Sequence, residues 1–489
     1  MNKVKPGFLR RYTRRYVQGY VQRYAQGRMR IYTQKHFRAY RILLALGLGV
    51  GVLIAPVSCC QAFAAGNTCF SVKNLWQLSS PSSRSLLNPG NILGLEKELT
   101  GSFLLNWRGE WFFPAGAREN GGRLVFEDTV QLHLNRDETD LANMVNEFYI
   151  SLNPVGFFFI DAGKQVITTG TGYFFNPSDV WSRARERKAL LQDRELPPEG
   201  KVMLRGEYLF PGLALEVGWA PQLVWAEDED AALLKYFGSP QRSSPAWVKI
   251  SGGCSGMDGS CLFSYDRQWK AGLNLARVWG ENLEIHVEMG WEEWEKTQAD
   301  QLNQLFLTIT GEAHDSRPHG DECTRAIKAT TEKGFVKALV GANYTFAGGA
   351  NLILEYLFNG SGLTRGEWER VLLYIGESTT PAAGNENCSP VAAELQRTAG
   401  FLMEAGFPGL LRHYAMARLY KELPPAFALE QIIIQNLVDR SGLAIFSLSY
   451  EKERFALSSA VQIPYGKQES EFGLLTEDWQ AKLKVEFWF

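Results

Sequence analysis

The end of this 489-residue chain alternates strictly between apolar and polar side chains. The apolar positions are Trp479, Ala481, Leu483, Val485, Phe487 and Phe489, and Gln480, Lys482, Lys484 and Glu486 stand between them. A β-strand points successive side chains to opposite faces, so this segment has one apolar face and one charged face. A long strand of this kind that ends on an aromatic residue is typical of the last strand of a transmembrane β-barrel, with lipid outside and water inside.

The same two-residue period recurs along the chain, at residues 103–111, 124–134, 202–210, 283–292, 336–346, 352–358 and 455–463. Segments of about ten residues match the roughly 9–11 residues that a tilted strand needs to cross a bilayer. A composition with 21% charged residues excludes a polytopic helical membrane protein. The pattern predicts membrane strands that begin near residues 101, 124, 145, 157, 201, 213, 268, 283, 336, 351, 412, 427, 443, 455 and 479.

The connections between these strands alternate between tight turns and longer loops. Tight turns are expected at 153–156, 211–212, 280–282, 348–349, 424–425 and 451–453, and longer loops at 167–200, 221–266, 293–334, 360–410, 438–442 and 464–478. Outer-membrane barrels have short periplasmic turns and long extracellular loops. A chain that starts and ends in the periplasm needs an even strand number, so a further strand is expected within 68–98, and residues 246–251 are assigned to an outer loop. The sequence therefore predicts an all-β fold, a single transmembrane antiparallel up-and-down β-barrel of about 16 strands, within a range of roughly 14–18.

The N-terminal region has the features of a secretory signal peptide. Residues 1–41 contain many lysines and arginines and no acid, and an apolar run follows at 42–55. Ala62-Phe63-Ala64 then supplies the small residues of a signal-peptidase site, with cleavage before Ala65. The predicted domains are a basic extension with a cleaved signal peptide (1–64), a periplasmic N-terminal segment with a possible first strand (65–98) and an outer-membrane β-barrel (99–489).

Three alternatives for this region stay open. The apolar run could be an uncleaved anchor, and Cys59-Cys60 could be a lipoprotein signal, although Pro56 stands where leucine is required. Basic and aromatic residues interleave before the apolar run, a pattern that could bind nucleic acid or an anionic membrane. A start at Met29 would give a signal peptide of ordinary length and leave residues 1–28 upstream. We favour that interpretation and expect no nucleic-acid partner.

Four segments resemble a known family. Residues 146–150, Asn-Glu-Phe-Tyr-Ile, resemble the R-E-x-Y-V/I strand of porin-like outer-membrane barrels related to alginate-export proteins. Residues 163–166 are similar to the G-R-Q strand of that family, 170–180 to its W-G and N-P-x-D segments, and 435–441 to the hairpin before its last strands. Asn146 and Lys164 replace arginine, and Thr169 replaces tryptophan. The resemblance is concentrated in residues 99–181; it implies a barrel with a channel role and does not imply a polysaccharide substrate.

Five cysteines follow the predicted cleavage site. Cys254 and Cys261 flank a Gly- and Ser-rich segment of a predicted outer loop, so a local disulfide is expected in an oxidising compartment. Cys323 and Cys388 lie in two other long loops and are a second candidate pair, which leaves Cys69 unpaired. None of these cysteines has the close spacing of a zinc site.

Enzyme signatures are absent from the sequence. There is no G-x-S-x-G, H-E-x-x-H or P-loop motif, so we expect neither catalysis nor a cofactor. Glu284, His286 and Glu288 share one face of a predicted strand and could ligate a metal ion. Polar side chains that face a water-filled lumen are the simpler interpretation, and no metal is expected.

The predicted inward positions carry both signs of charge in nearly equal number. They are Arg108, Glu110, Glu127, Glu147, Lys201, Arg205, Glu207, Glu284, His286, Glu288, Lys337, Glu355, Arg412, Arg418, Arg454, Lys482, Lys484 and Glu486. Charges inside a barrel must pair or contact water. The sequence therefore favours a passive outer-membrane channel for a hydrophilic, possibly anionic, solute or polymer. The alternative is a structural or surface-interaction barrel with a loop-plugged lumen. The expected partners are outer-membrane lipid, the barrel-assembly machinery and a small hydrophilic solute.

Overall fold

The computed structural model describes residues 66–114, 121–135, 139–167, 169–179, 199–223, 241, 243–293, 334–379, 389–404 and 407–489. The strands are β1 Gly66–Pro81, β2 Glu98–Pro114, β3 Gly121–Leu134, β4 Thr139–Val155, β5 Phe158–Gln165, β6 Lys201–Phe210, β7 Leu213–Trp219, β8 Ala246–Cys254, β9 Met257–Tyr265, β10 Trp269–Trp279, β11 Leu283–Glu293, β12 Gly334–Thr345, β13 Ala350–Asn359, β14 His413–Leu423, β15 Phe427–Asn436, β16 Gly442–Lys452, β17 Phe455–Tyr465 and β18 Glu477–Trp488. Helices α1 Arg365–Thr379 and α2 Ser389–Glu404 lie between β13 and β14. The predicted signal peptide, its alternatives and the interleaved basic and aromatic residues before it fall outside the described residues.

The strands form one closed antiparallel barrel. Each strand pairs with its neighbours in the sequence, and β1 pairs with both β2 and β18. Ser71, for example, lies opposite Asn106 on β2 and Trp488 on β18. Closure gives every strand two partners, so no strand edge is left unpaired. The all-β barrel expected from the sequence is confirmed.

The described residues form 18 strands, which is the upper limit of the expected range of 14–18 and differs from the favoured number of about 16. One strand lies at 66–81 and overlaps the region 68–98, where a further strand was expected. The two additional strands are β8 and β9, which the sequence interpretation placed in an outer loop at 221–266. Their alternation is weak because glycine and serine interrupt it. Ser255 (φ 52°) and Gly256 (φ 75°) join them in a two-residue turn of the kind that connects antiparallel strands.

The two ends of the barrel differ in their connections. One end has short turns, such as 156–157 between β4 and β5, 211–212 between β6 and β7, and 255–256 between β8 and β9. The other end has most of the long connections, including 166–200, 294–333 and 360–412. We call these the short-turn end and the loop end. Both chain termini of the barrel lie at the short-turn end.

The outer surface of the barrel is apolar and ends in aromatic bands. On β11, exposed Met289 and Trp291 alternate with buried Glu288 and Glu292. Aromatic pairs near the short-turn end are Phe157–Tyr208, Tyr344–Phe346, Phe427–Tyr450, Phe455–Phe487 and Phe70–Phe489. Exposed aromatic residues near the loop end are Trp219, Tyr265, Trp269 and Trp291.

The two aromatic bands are separated by the thickness of a membrane. Trp269 and Trp279 stand at opposite ends of β10. At roughly 3.3 Å per residue and a strand tilt of about 40°, these positions are roughly 25 Å apart along the barrel axis. This is the height of the apolar band in outer-membrane barrels. Among the described helices, none combines the length and apolar character that crossing a membrane requires.

Candidate functional site: the lumen face

Residues 169–179, which we call the inward segment, lie inside the barrel. The segment follows β5, yet it contacts strands on the far side of the ring. Thr171 Oγ1 donates to Asn274 on β10 (2.9 Å), and Tyr173 stacks on Arg418 of β14 and donates its hydroxyl hydrogen to Glu430 of β15 (3.2 Å). A segment that reaches across half of a closed ring must cross its interior. The residues that it contacts therefore mark the inward face of the wall.

Two buried carboxylates hold the backbone of the inward segment. Glu288, with no exposed surface, accepts hydrogen bonds from the backbone N–H groups of Thr171, Gly172 and Ser178, and from the Ser178 hydroxyl (2.9 Å). Glu355, 3% exposed, accepts from the N–H groups of residues 173–175. Hydrogen bonds to ionised groups are among the stronger ones in proteins. The segment is therefore fixed against β11 and β13.

His286 lies beside these anchors because a glycine leaves room for it. Its Nε2 is 3.4 Å from Glu355 Oε1, and its Nδ1 is 3.6 Å from Glu284 Oε1. A Cβ atom at Gly341, on the strand between, would collide with His286 Nε2. Glu284 and His286 therefore contact each other, whereas Glu288 holds the inward segment. No group of residues in the described part of the chain is arranged to hold a metal ion.

Apolar side chains pack against the inner face of β12–β16. Inward residues of these strands form the wall, namely Leu339, Ile353, Tyr414, Met416, Ile432, Ile434 and Leu443. Residues from the loop end pack onto that wall, namely Leu87, Phe174, Phe175, Leu363, Trp368, Val371, Ile375, Leu402, Phe407, Leu410, Leu411, Phe472, Leu474 and Leu475. We call this cluster the apolar core. It includes residues of the inward segment and of both helices.

A buried glutamate joins three connections of the loop end beside the apolar core. Glu471 accepts hydrogen bonds from the N–H groups of Gly409 and Leu410 (both 2.7 Å), from the Tyr414 hydroxyl (2.8 Å) and from Asn436 Nδ2 (2.5 Å). Burial raises the pKa of Glu471, and the backbone hydrogen bonds oppose part of that rise.

The inner face of β2–β7 carries two arginines, each surrounded by carboxylates. Arg108 on β2 binds Glu110 (3.1 Å), Glu127 (3.0 Å) and Glu147 (3.2 Å). These carboxylates come from β2, β3 and β4. We call Arg108 and its three partners the Arg108 cluster. It holds one guanidinium and three carboxylates.

The second cluster is built in the same way further along the wall. Arg205 on β6 binds Asp161 (3.4 Å), Glu207 (2.9 Å) and Glu216 (3.0 Å). Glu216 also accepts a hydrogen bond from Trp247 Nε1 (2.9 Å). This cluster lies on the same face of the sheet as Glu288. A series of cross-strand pairs shows this, because each of the following residues lies opposite the next: Arg205, Gly218, Trp247, Ser264, Lys270 and Glu292.

Most residues predicted to line the pore lie on strands, on this inward face. Lys484 and Lys73 both contact Glu486 (3.7 and 3.2 Å), and Arg418 contacts Glu430 (2.6 Å). Register places Lys201, Lys337 and Lys482 on the same face. Two predicted residues are not on strands. Arg412 precedes β14 and donates to the Gly362 carbonyl (2.9 Å), and Arg454 lies in the turn between β16 and β17.

Several inward residues were not identified from the sequence. Asp161 and Glu216 stand on the short strands β5 and β7, where few alternations are available to define a face. Glu430 is followed by Gln431 and then by three isoleucines on β15, so alternation does not define its face either. Tyr173 belongs to a loop, and no sequence signal indicates that this loop turns inward.

The predicted disulfide between Cys254 and Cys261 is absent from the structure. Cys254 and Cys261 are free, and they belong to β8 and β9 rather than to an outer loop. Cys261 lies opposite Ile250, four positions from Cys254, which is about 13 Å along the strand. A disulfide needs Cα atoms within roughly 7 Å. Cys69 is free and exposed, whereas Cys323 and Cys388 fall outside the described residues.

The segments that carry the family resemblance occupy defined places in this barrel. Residues 146–150 belong to β4, 163–165 end β5, and 170–179 belong to the inward segment. Residues 435–441 connect β15 to β16 at the loop end. No known protein family matches the sequence, and no curated protein matches it either. The relation to alginate-export proteins therefore stays an expectation.

Solved structures of outer-membrane proteins are similar in fold. OccAB1 of Acinetobacter baumannii has a TM-score of 0.48 at 9% identity, over 87% of this chain and 96% of that one. OprD of Pseudomonas aeruginosa has 0.44 at 11%, over 87% and 95%. OmpF of Salmonella typhi, in a complex with daunomycin, has 0.43 at 10%, over 87% and 97%. At these identities the likeness describes the barrel fold only.

Proposed function

We propose that this protein is a channel of the bacterial outer membrane that allows passive passage of hydrophilic solutes. The observation that carries the proposal is the contrast between the two faces of one wall. The outer face exposes apolar residues between two aromatic bands, and half of the inner face carries paired charges. Ionised groups are costly to bury without water or partners. Such a wall is suited to contact with lipid outside and water inside.

The charged half of the wall bears on the kind of solute. Arg108 and Arg205 are each outnumbered by three carboxylates. An anionic solute or polymer gains no attraction at these two clusters, although Lys73, Lys482 and Lys484 lie nearby on β1 and β18. We therefore propose a channel for hydrophilic solutes in general, without a preference for anions.

A structural or surface-interaction barrel with a plugged lumen is the second candidate. The apolar core favours it, because residues of the loop end fill part of the interior. Conductance across planar bilayers separates the two candidates. We expect stable steps of current that scale with salt concentration. A purified, folded barrel that gives no steps would support the plugged barrel.

Export to the outer membrane is part of the proposal. We expect the purified protein to begin at Ala65, and a gene that starts at Met29 to restore full expression. The mass of the outer-membrane form measures the first, and an intact 42–64 segment would contradict it. Loss of export from the shortened gene would show that residues 1–28 have a role.

A further inference from the structure

The two halves of the interior differ in how much side-chain surface is left open. Ile434 in the apolar core has no exposed surface, and Met416 has 2%. Arg108 is 41% exposed, and its partner Glu110 is 23% exposed. Among the described residues, apolar packing therefore covers much of the β12–β16 side, although Arg418 (15% exposed) and Glu430 (25% exposed) lie on that side as well. The β2–β7 side keeps more of its charged surface open.

A native cysteine stands on that open side. Cys69 lies directly opposite Arg108 in the β1–β2 pairing, so the two side chains share the inward face. Cys69 is exposed. Ile250 is 43% exposed on the outer surface of the barrel. Cys261 lies directly opposite Ile250, and Cys254 lies four positions from Ile250 along β8, so both cysteines face outward as well. Among the described cysteines, Cys69 alone faces the lumen.

The side-chain charges nearest to Cys69 in the β1–β2 pairing are those of the Arg108 cluster, in which carboxylates are in excess. Lys73 and its partner Glu486 are four positions further along β1, about 13 Å away. Arg123 on β3 is also four positions, about 13 Å, from Glu127 of the Arg108 cluster. These distances exceed the Debye length of about 10 Å at 0.1 M salt, so among these side chains the Arg108 cluster acts most strongly at Cys69.

We infer that solutes cross the barrel along the β1–β7 wall, past Cys69, and that the Arg108 cluster is the specificity-determining element that favours cations at this point of the route. This rests on the proposed channel function and adds the path and the local charge preference. Glu110, Glu127 and Glu147 attract a passing ammonium or guanidinium group, and Arg108 limits that attraction by pairing with all three. The basic residues of β18 lie further along the same route.

Thiol-reactive methanethiosulfonates test the inference at the native position. In a protein with Cys254, Cys261, Cys323 and Cys388 replaced by serine, the remaining thiolate attacks the reagent's sulfenyl sulfur, forms a mixed disulfide and releases methanesulfinate. We expect both the trimethylammonium and the sulfonate reagent to lower single-channel conductance. With each rate divided by that of free 2-mercaptoethanol, we expect the cationic reagent to react at least about threefold faster.

Three control variants make the result specific. Glu110→Gln removes an exposed carboxylate of the Arg108 cluster and should bring the normalised rate ratio toward one, whereas Asp258→Asn on β9 should leave it unchanged. Met416→Cys, in a barrel with Cys69→Ser added, places the thiol in the apolar core and should not react. Two results overturn the inference. One is an equal rate of reaction at positions 69 and 416, and the other is a normalised rate ratio that Glu110→Gln leaves unchanged.

Mass spectrometry of the same vesicles separates the inference from the proposed function. An unreactive Cys69, or modification that leaves the current unchanged, overturns the route. If Cys69 reacts but the barrel passes no current, the channel proposal is overturned, and the reaction shows only that solvent reaches Cys69. Heat-modifiable gel migration verifies that each variant forms the barrel.

Discussion

The inner face of β2–β7 and the inner face of β12–β16 belong to one barrel and are stabilised in different ways. The first carries Arg108 and Arg205, each bonded to three carboxylates on neighbouring strands. The second carries leucine, isoleucine and methionine against side chains from the loop end. The outer faces of both regions expose apolar residues.

This difference shows what the long connections do. The loop between β13 and β14 contains α1 and α2, and residues of both helices pack onto the β12–β16 wall. The inward segment adds Phe174 and Phe175 to the same core. A wall that receives such partners can be apolar on both faces. A wall without them has to pair its charges or contact water.

The largest effect is expected from a charge placed in the apolar core. Ile434→Asp puts a carboxylate where no surface is exposed and should lower the free energy of unfolding by about 4 kcal/mol. Ile434→Val, which keeps the shape, should cost about 1 kcal/mol. Urea unfolding in vesicles, followed by tryptophan fluorescence, measures both. If Ile434→Asp lowers the free energy of unfolding by less than about 1 kcal/mol, water must reach the apolar core.

Release of the inward segment should have the next largest effect. Glu355→Gln weakens three charge-assisted hydrogen bonds and should destabilise the docked segment by about 2 kcal/mol. Chymotrypsin should then cleave after Phe174 or Phe175, which are buried in the unsubstituted protein. Glu207→Gln on the charged half is the matched control and should leave the segment protected. Cleavage in both variants would contradict the anchoring role of Glu355.

One pH effect on stability is expected from the loop end. The raised pKa of buried Glu471 means that the folded protein binds its proton more tightly than the unfolded chain does. The contribution to stability is complete below the unfolded pKa of about 4.3 and is lost as the pH rises through the folded pKa. The loss amounts to about 1.4 kcal/mol for each pH unit that separates the folded pKa from the unfolded pKa.

Glu471→Gln tests this assignment because an amide does not titrate in that range. Unfolding free energies measured between pH 4 and pH 8 should decline for the unsubstituted protein and should be flatter for the variant. A parallel decline in both proteins would mean that other groups cause it.

The smallest effect is expected from a surface ion pair. Arg365 and Glu369 on α1 are 3.0 Å apart, and both side chains are largely exposed. Arg365→Ala should change the free energy of unfolding by about 0.3 kcal/mol, because solvent screens such pairs. Arg108→Ala leaves three carboxylates without their shared partner and should cost several times more. Equal costs in the same urea titration would mean that the Arg108 cluster behaves as open surface.

The barrel could be predicted from the sequence where one face is apolar and the other polar. The alternation of β18 defines its two faces, and Leu483 and Phe487 are exposed while Glu486 is buried. The same criterion fails for β8 and β9, where glycine and serine give little contrast between faces. The turn at Ser255 and Gly256 is visible only in the backbone.

The candidate site could be predicted only in part. Arg108, Glu127 and Glu147 were identified as inward residues, because each stands beside an aromatic residue of the opposite face, namely Trp107, Phe126 or Phe148. Their meeting around one guanidinium depends on the register of β2, β3 and β4, which includes an irregularity at Glu127 and Asp128. The apolar core was missed because most of its residues come from the connections of the loop end, to which strand periodicity does not apply.

The central claim is that lipid contacts one face of each strand and the lumen contacts the other, and β18 offers the most direct measurement. Val485→Arg places a charge in hydrocarbon and should lower the free energy of folding into lipid vesicles by about 2–4 kcal/mol. Phe487→Arg, nearer the interface, should be milder. Lys484→Ala, on the inward face, should cost far less and should change conductance instead. Heat-modifiable gel migration of the refolded variants measures the series, and equal tolerance at positions 484 and 485 would contradict a membrane-spanning strand.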